Sequence, residues 1–276
     1  MEEARTATID KRAVFRELHA RDELFAMPNP WDPGSAKLLA ALGFQALATT
    51  SAGFAWTLGK LDTTVRRDEL VAHVAALVEA TDLPLNVDSE RCFPDDPGGI
   101  AETVQLLADS GAAGCSIEDY DPANDAMDEI SVAAERVAEA AEAAHSLASP
   151  MVLTARAENH LHGVDDLDDT IARLAAYRDA GADCVYAPGL KELSRIARVV
   201  DEVGIPVNVL ALPGGPAIPE LASAGVRRVS TGSLLAAAAY GALVSGAREL
   251  AGPGTSRYAE TGVPRDLLAE ALSRSG

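Results

Sequence analysis

The chain has 276 residues, is 48% hydrophobic, and carries 42 acidic against 23 basic side chains, a formal net charge of −19. That balance excludes a general nucleic-acid or anionic-membrane binder, since either partner would repel it. No apolar run is long enough to span a bilayer. The charged start "MEEARTATIDKRAVFRELHA" lacks the apolar core of a signal peptide, and the three cysteines, Cys92, Cys115 and Cys184, are too few and too odd in number for a disulfide framework. A soluble cytoplasmic protein is expected.

Taken in chain order, the predicted elements repeat one pattern: a helix-like stretch, a punctuating residue, then a short apolar strand. The first strand falls in "DELFAMPNPWD", around 24–27. Gly43 then ends a helical run, and a strand follows at 46–49. Pro84 precedes a strand at 85–88, Gly111 one at 114–118, Pro150 one at 152–156 and Gly181 one at 184–187. Gly204 precedes 207–210 and Gly225 precedes 226–230. Glycine ends a helix cheaply in the left-handed conformation, and proline cannot continue one. Ala-rich helical patterns such as "RRDELVAHVAALVEA" and "DDLDDTIARLAAYRDA" lie between the strands.

The strands are continuous apolar runs, as expected of parallel strands covered by helices. Eight such units in one chain predict an α/β fold, a TIM (β/α)8 barrel, over a single domain 1–276 with an N-terminal helix and a C-terminal helical extension. An open doubly wound sheet is the weaker alternative, because no GxGxxG follows the first strand.

In a barrel, the C-terminal strand ends and the loops after them form the active face. Polar residues collect there, in "NPWD", "TTSAG", "VDSE", "SIED", "TARAEN" and "STGS". Residues two apart on a strand share a side. Asn86, Asp88 and Glu90 are therefore expected to point one way, as are Ser116 with Glu118, and Thr154 with Arg156 and Glu158. Carboxylates brought this close repel unless neutralised. A divalent cation would do so, and oxygen ligands without a Cys/His cluster favour Mg²⁺ or Mn²⁺. The alternative is that the acids form salt bridges with Arg91 and Arg156.

Three stretches, "NPWDPGSAKLLAALGFQALATTSAGFAWTLGKLD", "LPLNVDSERCFPDDPGGIAETVQLLADSGAAGCSIED" and "VLTARAENHLHG", resemble the isocitrate lyase/phosphoenolpyruvate mutase superfamily, with several motifs in the correct order. The resemblance implies a TIM barrel that is a dimer or tetramer, with its eighth helix exchanged between subunits. It also implies Mg²⁺ (or Mn²⁺) and a small 2-oxo, 2-hydroxy or phosphono acid as substrate. By position, Asp88 resembles the most direct metal ligand, and Glu90, Glu118 and Asp62 resemble acids that hold the metal directly or through water. Ser51, Ala52 and Gly53 resemble the loop that cradles a substrate carboxylate, and Arg156 the arginine that clamps the anionic group.

The chain departs from the superfamily pattern after its fourth strand. Isocitrate and methylisocitrate lyases carry a Lys-Cys-Gly-His loop there, and phosphoenolpyruvate mutases a gating Lys and Asn. This chain reads "EDYDPANDAMDEIS", with Tyr120 in place of the first Lys and Asn124 near the gating Asn. Arg156, Glu118, Glu90 and His160 make up the candidate catalytic set. His160 and His162 are candidate proton donors, or else they fix their loop by hydrogen bonds. Trp31 is a candidate lid, or "NPWDPGSA" is a turn with Asp32 capping a helix. Asn208 meets the substrate or satisfies core backbone, and Glu158 and Asn159 orient Arg156 or water. Cys92 is a displaced acid/base or inert filling. None of the four lysines falls in a strand, so Schiff-base chemistry is not expected.

Three function classes follow. The first is a Mg²⁺-dependent lyase that breaks a C–C bond of a small oxo or hydroxy acid, of the oxaloacetate decarboxylase or 2-methylisocitrate/dimethylmalate lyase kind. The second is P–C chemistry, as in a phosphonomutase or phosphonopyruvate hydrolase. The third is a non-catalytic carboxylate-binding homologue.

Overall fold

The computed structural model describes residues 10–273. The signal-peptide reading rests in part on residues 1–9, which lie outside the described residues. Eight parallel strands form a nearly closed barrel: Phe25–Met27, Leu47–Ala48, Leu85–Asp88, Gly114–Glu118, Val152–Arg156, Cys184–Tyr186, Val207–Leu210 and Arg228–Ser230. The first strand pairs with the eighth, and every later strand with its sequence neighbour. Between the first and second strands the ring is joined just above the paired region, by Ala48 N–H to the Pro28 carbonyl at 3.1 Å and Asn29 Nδ2 to the Thr49 carbonyl at 2.6 Å.

The punctuation works as the sequence implies. All five repeat glycines have positive φ, for example 87° at Gly43 and 74° at Gly204, which ends the helix Leu193–Val203. Asp32 caps the helix Pro33–Ala41, accepting from Ser35 N–H at 2.6 Å, while the Ser35 hydroxyl meets the Asp32 backbone N–H. This satisfies two otherwise orphaned donors.

Two elements depart from the sequence reading. "TTSAG", expected as a loop, opens a helix, Ser51–Thr57, whose cap Thr50 accepts from Gly53 N–H. "DYDPANDAM", which has the composition of a loop, closes as a two-stranded antiparallel hairpin, Tyr120–Asp121 with Ala126–Met127. Asp125 in its turn takes φ 49°, a conformation that Asp tolerates better than most residues.

The main core lies between strands and helices. A second cluster fills the lower end of the barrel, where Phe15, Leu18, Phe25, Met27, Ala46, Ala48, Ala113 and Val152 are buried together. Phe15 and Leu18 come from the N-terminal helix Lys11–Ala20, which plugs that end. Its cations tie it down: Lys11 Nζ donates to the carbonyls of Val78 and Thr81, and Arg12 Nε to that of Ala112. The C-terminal extension is a 3-10 turn, Arg257–Thr261, and a helix, Arg265–Ser273, that returns to pack on Pro33–Ala41. No helix among the described residues is long and apolar enough to cross a membrane.

Gly114 shows how tightly the plug fits. A Cβ there would lie 2.7 Å from the Val152 carbonyl, 2.8 Å from Phe15 Cε1 and 2.9 Å from Asn86 Oδ1. Gly114→Ala should therefore destabilise the barrel by about 1–3 kcal/mol, the usual range for overpacking, measured as a lower urea midpoint. An unchanged midpoint would mean that the plug yields freely.

Candidate active site

The upper end of the barrel is organised around one guanidinium. Register places Glu118, Arg156 and Tyr186 side by side on adjacent strands, with Asp88 beside Ser116. Arg156 ends its strand pointing among carboxylates. Its Nη1 lies 2.6 Å from Asp88 Oδ1, its Nη2 3.2 Å from Glu118 Oε2 and its Nε 2.7 Å from Glu158 Oε1. The Tyr186 ring lies under the guanidinium, 5.4 Å from its carbon. Charge-assisted bonds of this kind are the strong class, and a planar fork suits several carboxylates at once.

Each partner is itself held. Asp88 Oδ2 accepts from Ser51 N–H at 3.0 Å, and Asp88 N–H donates to Thr49 Oγ1 at 2.8 Å. Glu158 N–H donates to Asp119 Oδ1 at 2.9 Å. Asp119, buried, also accepts from Arg173 and from the Tyr177 hydroxyl. This chain from Tyr177 through Asp119 to Glu158 fixes where Arg156 can sit.

Beneath Arg156 lies a cavity of about 170 Å³, lined among others by Thr50, Ser51, Ala52, Asp62, Asp88, Arg156 and, deeper, Asn208 and Arg228. That is well below the ~300–1,000 Å³ of drug-sized pockets, and room for a compact acid rather than a large cofactor. A separate cavity of about 470 Å³ is lined by Glu90, Arg91, Phe93, Glu118 and Asp121, among others.

The expected convergence of carboxylates is therefore only partly realised. Asp62 and Asp88 line the first cavity, whereas Glu90 and Glu118 line the second. The strand ends at Asp88, and Glu90, Cys92 and Phe93 take φ of 50°, 57° and 48°, so the alternation that would align Glu90 with Asp88 stops. The salt-bridge alternative is what the side chains adopt: Arg156 binds Asp88, Glu118 and Glu158, and Arg91 binds Asp121 and Asp128.

The acids nevertheless outnumber the cation. Burial, then Asp88 and Asp62, push Glu90 up to about 8. Asp62 is raised by burial and by Asp88, with the Ser51 hydroxyl acting against the rise. Burial also raises Glu118, against the pull of Arg156. An all-oxygen set with surplus negative charge fits a hard divalent cation in its chemistry. In their present positions, however, no three His, Cys, Asp or Glu side chains among the described residues stand together as a ligand set.

Several other candidates fall outside the cavity. His160 is fixed by Thr170 Oγ1 at 3.0 Å from Nε2 and by Asp165 at 3.4 Å from Nδ1, which is the loop-fixing alternative. His162 stacks on Tyr120, with ring centroids 3.4 Å apart, and so joins the hairpin to the loop after the fifth strand. Asn124 binds Asp121. Trp31 does not line the cavity; its backbone N–H meets Ser35 Oγ. In the 51–53 segment, Ser51 and Ala52 line the cavity, while the N–H groups of Ser51 and Gly53 serve Asp88 and Thr50. Cys92 is fully buried against Ser89 and Ser116, as inert filling would be. Asn208 does line the cavity, bonded to Ser230 and Arg228. Arg228 itself was not singled out from the sequence, and no local motif marks it.

Comparison with known proteins places this geometry among relatives. A family model described as phosphoenolpyruvate phosphomutase matches residues 15–251. An uncharacterised protein of Mycobacterium tuberculosis (strain ATCC 25618 / H37Rv) is 35% identical over 253 residues, covering 89% of this chain and 93% of the relative. Oxaloacetate decarboxylase 2 of Pseudomonas fluorescens (strain Pf0-1) is 30% identical over 273 residues, covering 96% and 92%. A crystal structure from Burkholderia cenocepacia J2315, provisionally described as a lyase/mutase, superposes with a TM-score of 0.91 at 47% identity, covering 96% of each chain.

The raised Glu90 has a consequence for stability. With a folded value of about 8 against an ordinary 4.5, the folded state binds the extra proton between those limits. Stability from this group should then fall as pH rises through that window and level off above it. Glu90→Gln removes the titration. The melting temperature of the variant should pull ahead of the wild type progressively from pH 5 to pH 8 in metal-free buffer. A gap that stays constant with pH would contradict the assignment.

Proposed function

The chain belongs to the phosphoenolpyruvate phosphomutase family, within the isocitrate lyase/phosphoenolpyruvate mutase superfamily, and on that premise we propose that it is a divalent-metal-dependent lyase cleaving a C–C bond of a small 2-oxo or 2-hydroxy acid. The observation that carries the reading is the surplus of carboxylates around one guanidinium, at the mouth of a polar cavity of about 170 Å³. The likeness to an oxaloacetate decarboxylase over 96% of the chain supports it.

Asp88 and Asp62, which line the cavity, would hold Mg²⁺ or Mn²⁺, with Glu90 and Glu118, whose charges couple to Asp88, as outer acids acting through water. Such an ion supplies Lewis-acid stabilisation of the negative charge that C–C cleavage leaves on the substrate oxygens. The residues of the chain do the rest. Arg156 offers N–H groups at the mouth that can exchange a carboxylate partner for a substrate carboxylate without losing a charge-assisted bond. Glu158, fixed through Asp119, keeps that guanidinium in place during the exchange. Thr154 and Asn208 line the cavity below with neutral polar groups. His160, bound to Thr170, is not retained as the proton donor. With no Cys, Lys or His between Glu118 and Ser131, the enolate takes its proton from solvent.

The test is steady-state turnover on oxaloacetate, isocitrate and 2-methylisocitrate at matched concentrations, with the metal-only background subtracted. Oxaloacetate should be decarboxylated and the two isocitrates cleaved poorly. Excess chelator should abolish turnover, and Asp88→Ala should lower it by at least about 10²-fold, the scale for losing a charge-stabilising group. Efficient isocitrate cleavage with oxaloacetate untouched, or full activity in chelator, would overturn the proposal.

The same reading includes assembly with further copies of the chain through the helix after the eighth strand. Leu234–Ala251 leaves Leu243 64% exposed, with Val244 and Leu250 also in solvent, and grouped exposed apolar side chains are a mark of interaction surfaces. Leu243→Glu should shift the sedimenting species to a smaller size. A wild type that already sediments as a monomer would contradict the exchange.

A further inference from the structure

Arg228 is among the largest fully buried side chains in the molecule, and no carboxylate pairs with it among the described residues. Its partners are neutral. Nε donates to Asn208 Oδ1 at 2.9 Å, Nη2 to Thr154 Oγ1 at 2.9 Å, and Nη1 meets His19 Nε2 at 3.0 Å. His19 accepts there because its Nδ1–H is directed at the Phe15 carbonyl, 2.8 Å away. Burial and Arg228 itself hold the imidazole down to about 3, so it supplies no counter-charge in that tautomer. These three bonds use three of the five N–H groups of a guanidinium.

A buried charge without a partner of opposite sign is heavily penalised. No carboxylate among the described residues pairs with this one, yet Arg228 lines the 170 Å³ cavity. At the mouth the situation is reversed: Arg156 already has three carboxylates. The cation with no carboxylate partner among the described residues is therefore the deeper one. Thr154, which Arg228 contacts, precedes Arg156 by two residues on the same strand, so Arg228 is anchored about 6–7 Å of strand below the residue that carries the upper guanidinium.

We propose that Arg228 is a specificity-determining residue at the cavity floor, holding the second anionic group of the substrate on the N–H groups left free by Asn208, His19 and Thr154. This rests on the reading of the cavity as the substrate site. Arg228 thereby selects diacids over monoacids of the same length.

The probes are succinate and butyrate, which match in chain length and differ in one carboxylate. Binding is measured by calorimetry in saturating Mg²⁺ for the wild type, Arg228→Lys and Arg228→Gln, with thermal melts to confirm that each variant folds. The wild type should bind succinate at least about tenfold more tightly than butyrate, the factor for one charged hydrogen bond. Arg228→Gln should erase that ratio, and Arg228→Lys should restore part of it. A folded Arg228→Gln that keeps the wild-type ratio would overturn the assignment while leaving the proposed function standing. A wild type that binds neither acid would remove the proposed function as well. If Arg228→Gln does not fold, a crystal structure of the wild type with succinate decides. A carboxylate oxygen within about 3.2 Å of an Arg228 Nη supports the proposal, and succinate held only at the mouth refutes it.

Discussion

The upper end of this barrel depends on one guanidinium shared by three carboxylates. Arg156 lies within ion-pair distance of Asp88, Glu118 and Glu158, contributed by the third strand, the adjacent fourth strand and the loop after its own strand. Parallel pairing brings those strand ends together, and in-register pairing of Glu118 with Arg156 makes at least one contact unavoidable. Three carboxylates on one cation leave the cluster net negative, and Asp62 and Glu90 nearby deepen the deficit. Protons taken up by the raised acids are one resolution, and a divalent ion is the other.

The barrel thus holds two levels of charge with different balance. The mouth is over-supplied with acid, and the floor carries Arg228 among neutral groups. Between them the cavity is walled by short polar side chains such as Thr154, Ser116 and Asn208. On the proposed reading, a small anion entering from above would pass a level rich in carboxylate and meet, below, a guanidinium without a carboxylate partner among the described residues. The apolar plug of Phe15, Leu18 and Phe25 closes the other end, so the floor stays out of bulk water.

Much of this was legible from residues alone. Strands were marked by Gly or Pro immediately before apolar runs, and seven of the eight joins have that local cause. Asp88, Glu118 and Arg156 were recognisable as polar residues ending such runs. What could not be read is where the chain leaves regular geometry. Three residues between Glu90 and Phe93 take left-handed backbone that their side chains do not advertise, and this moves Glu90 to a different cavity. "TTSAG" has turn composition, yet Thr50 caps a helix there. His160 looked available for chemistry because a loop histidine has no visible partner in sequence, and Thr170, ten residues on, supplies one. Arg228 opens a strand as an ordinary charged residue, and only the closed ring shows that it points into the interior.

The central claim is that the acids at the mouth are poised for a divalent cation in place of bound protons. Calorimetric titration with Mg²⁺ at pH 7, repeated in buffers of different ionisation enthalpy, counts the protons exchanged on binding. Binding should release protons, and the number released should fall when Glu90 is replaced by Gln. Mg²⁺ binding without proton release, or no binding at all, would show that the salt bridges to Arg156 already satisfy the cluster.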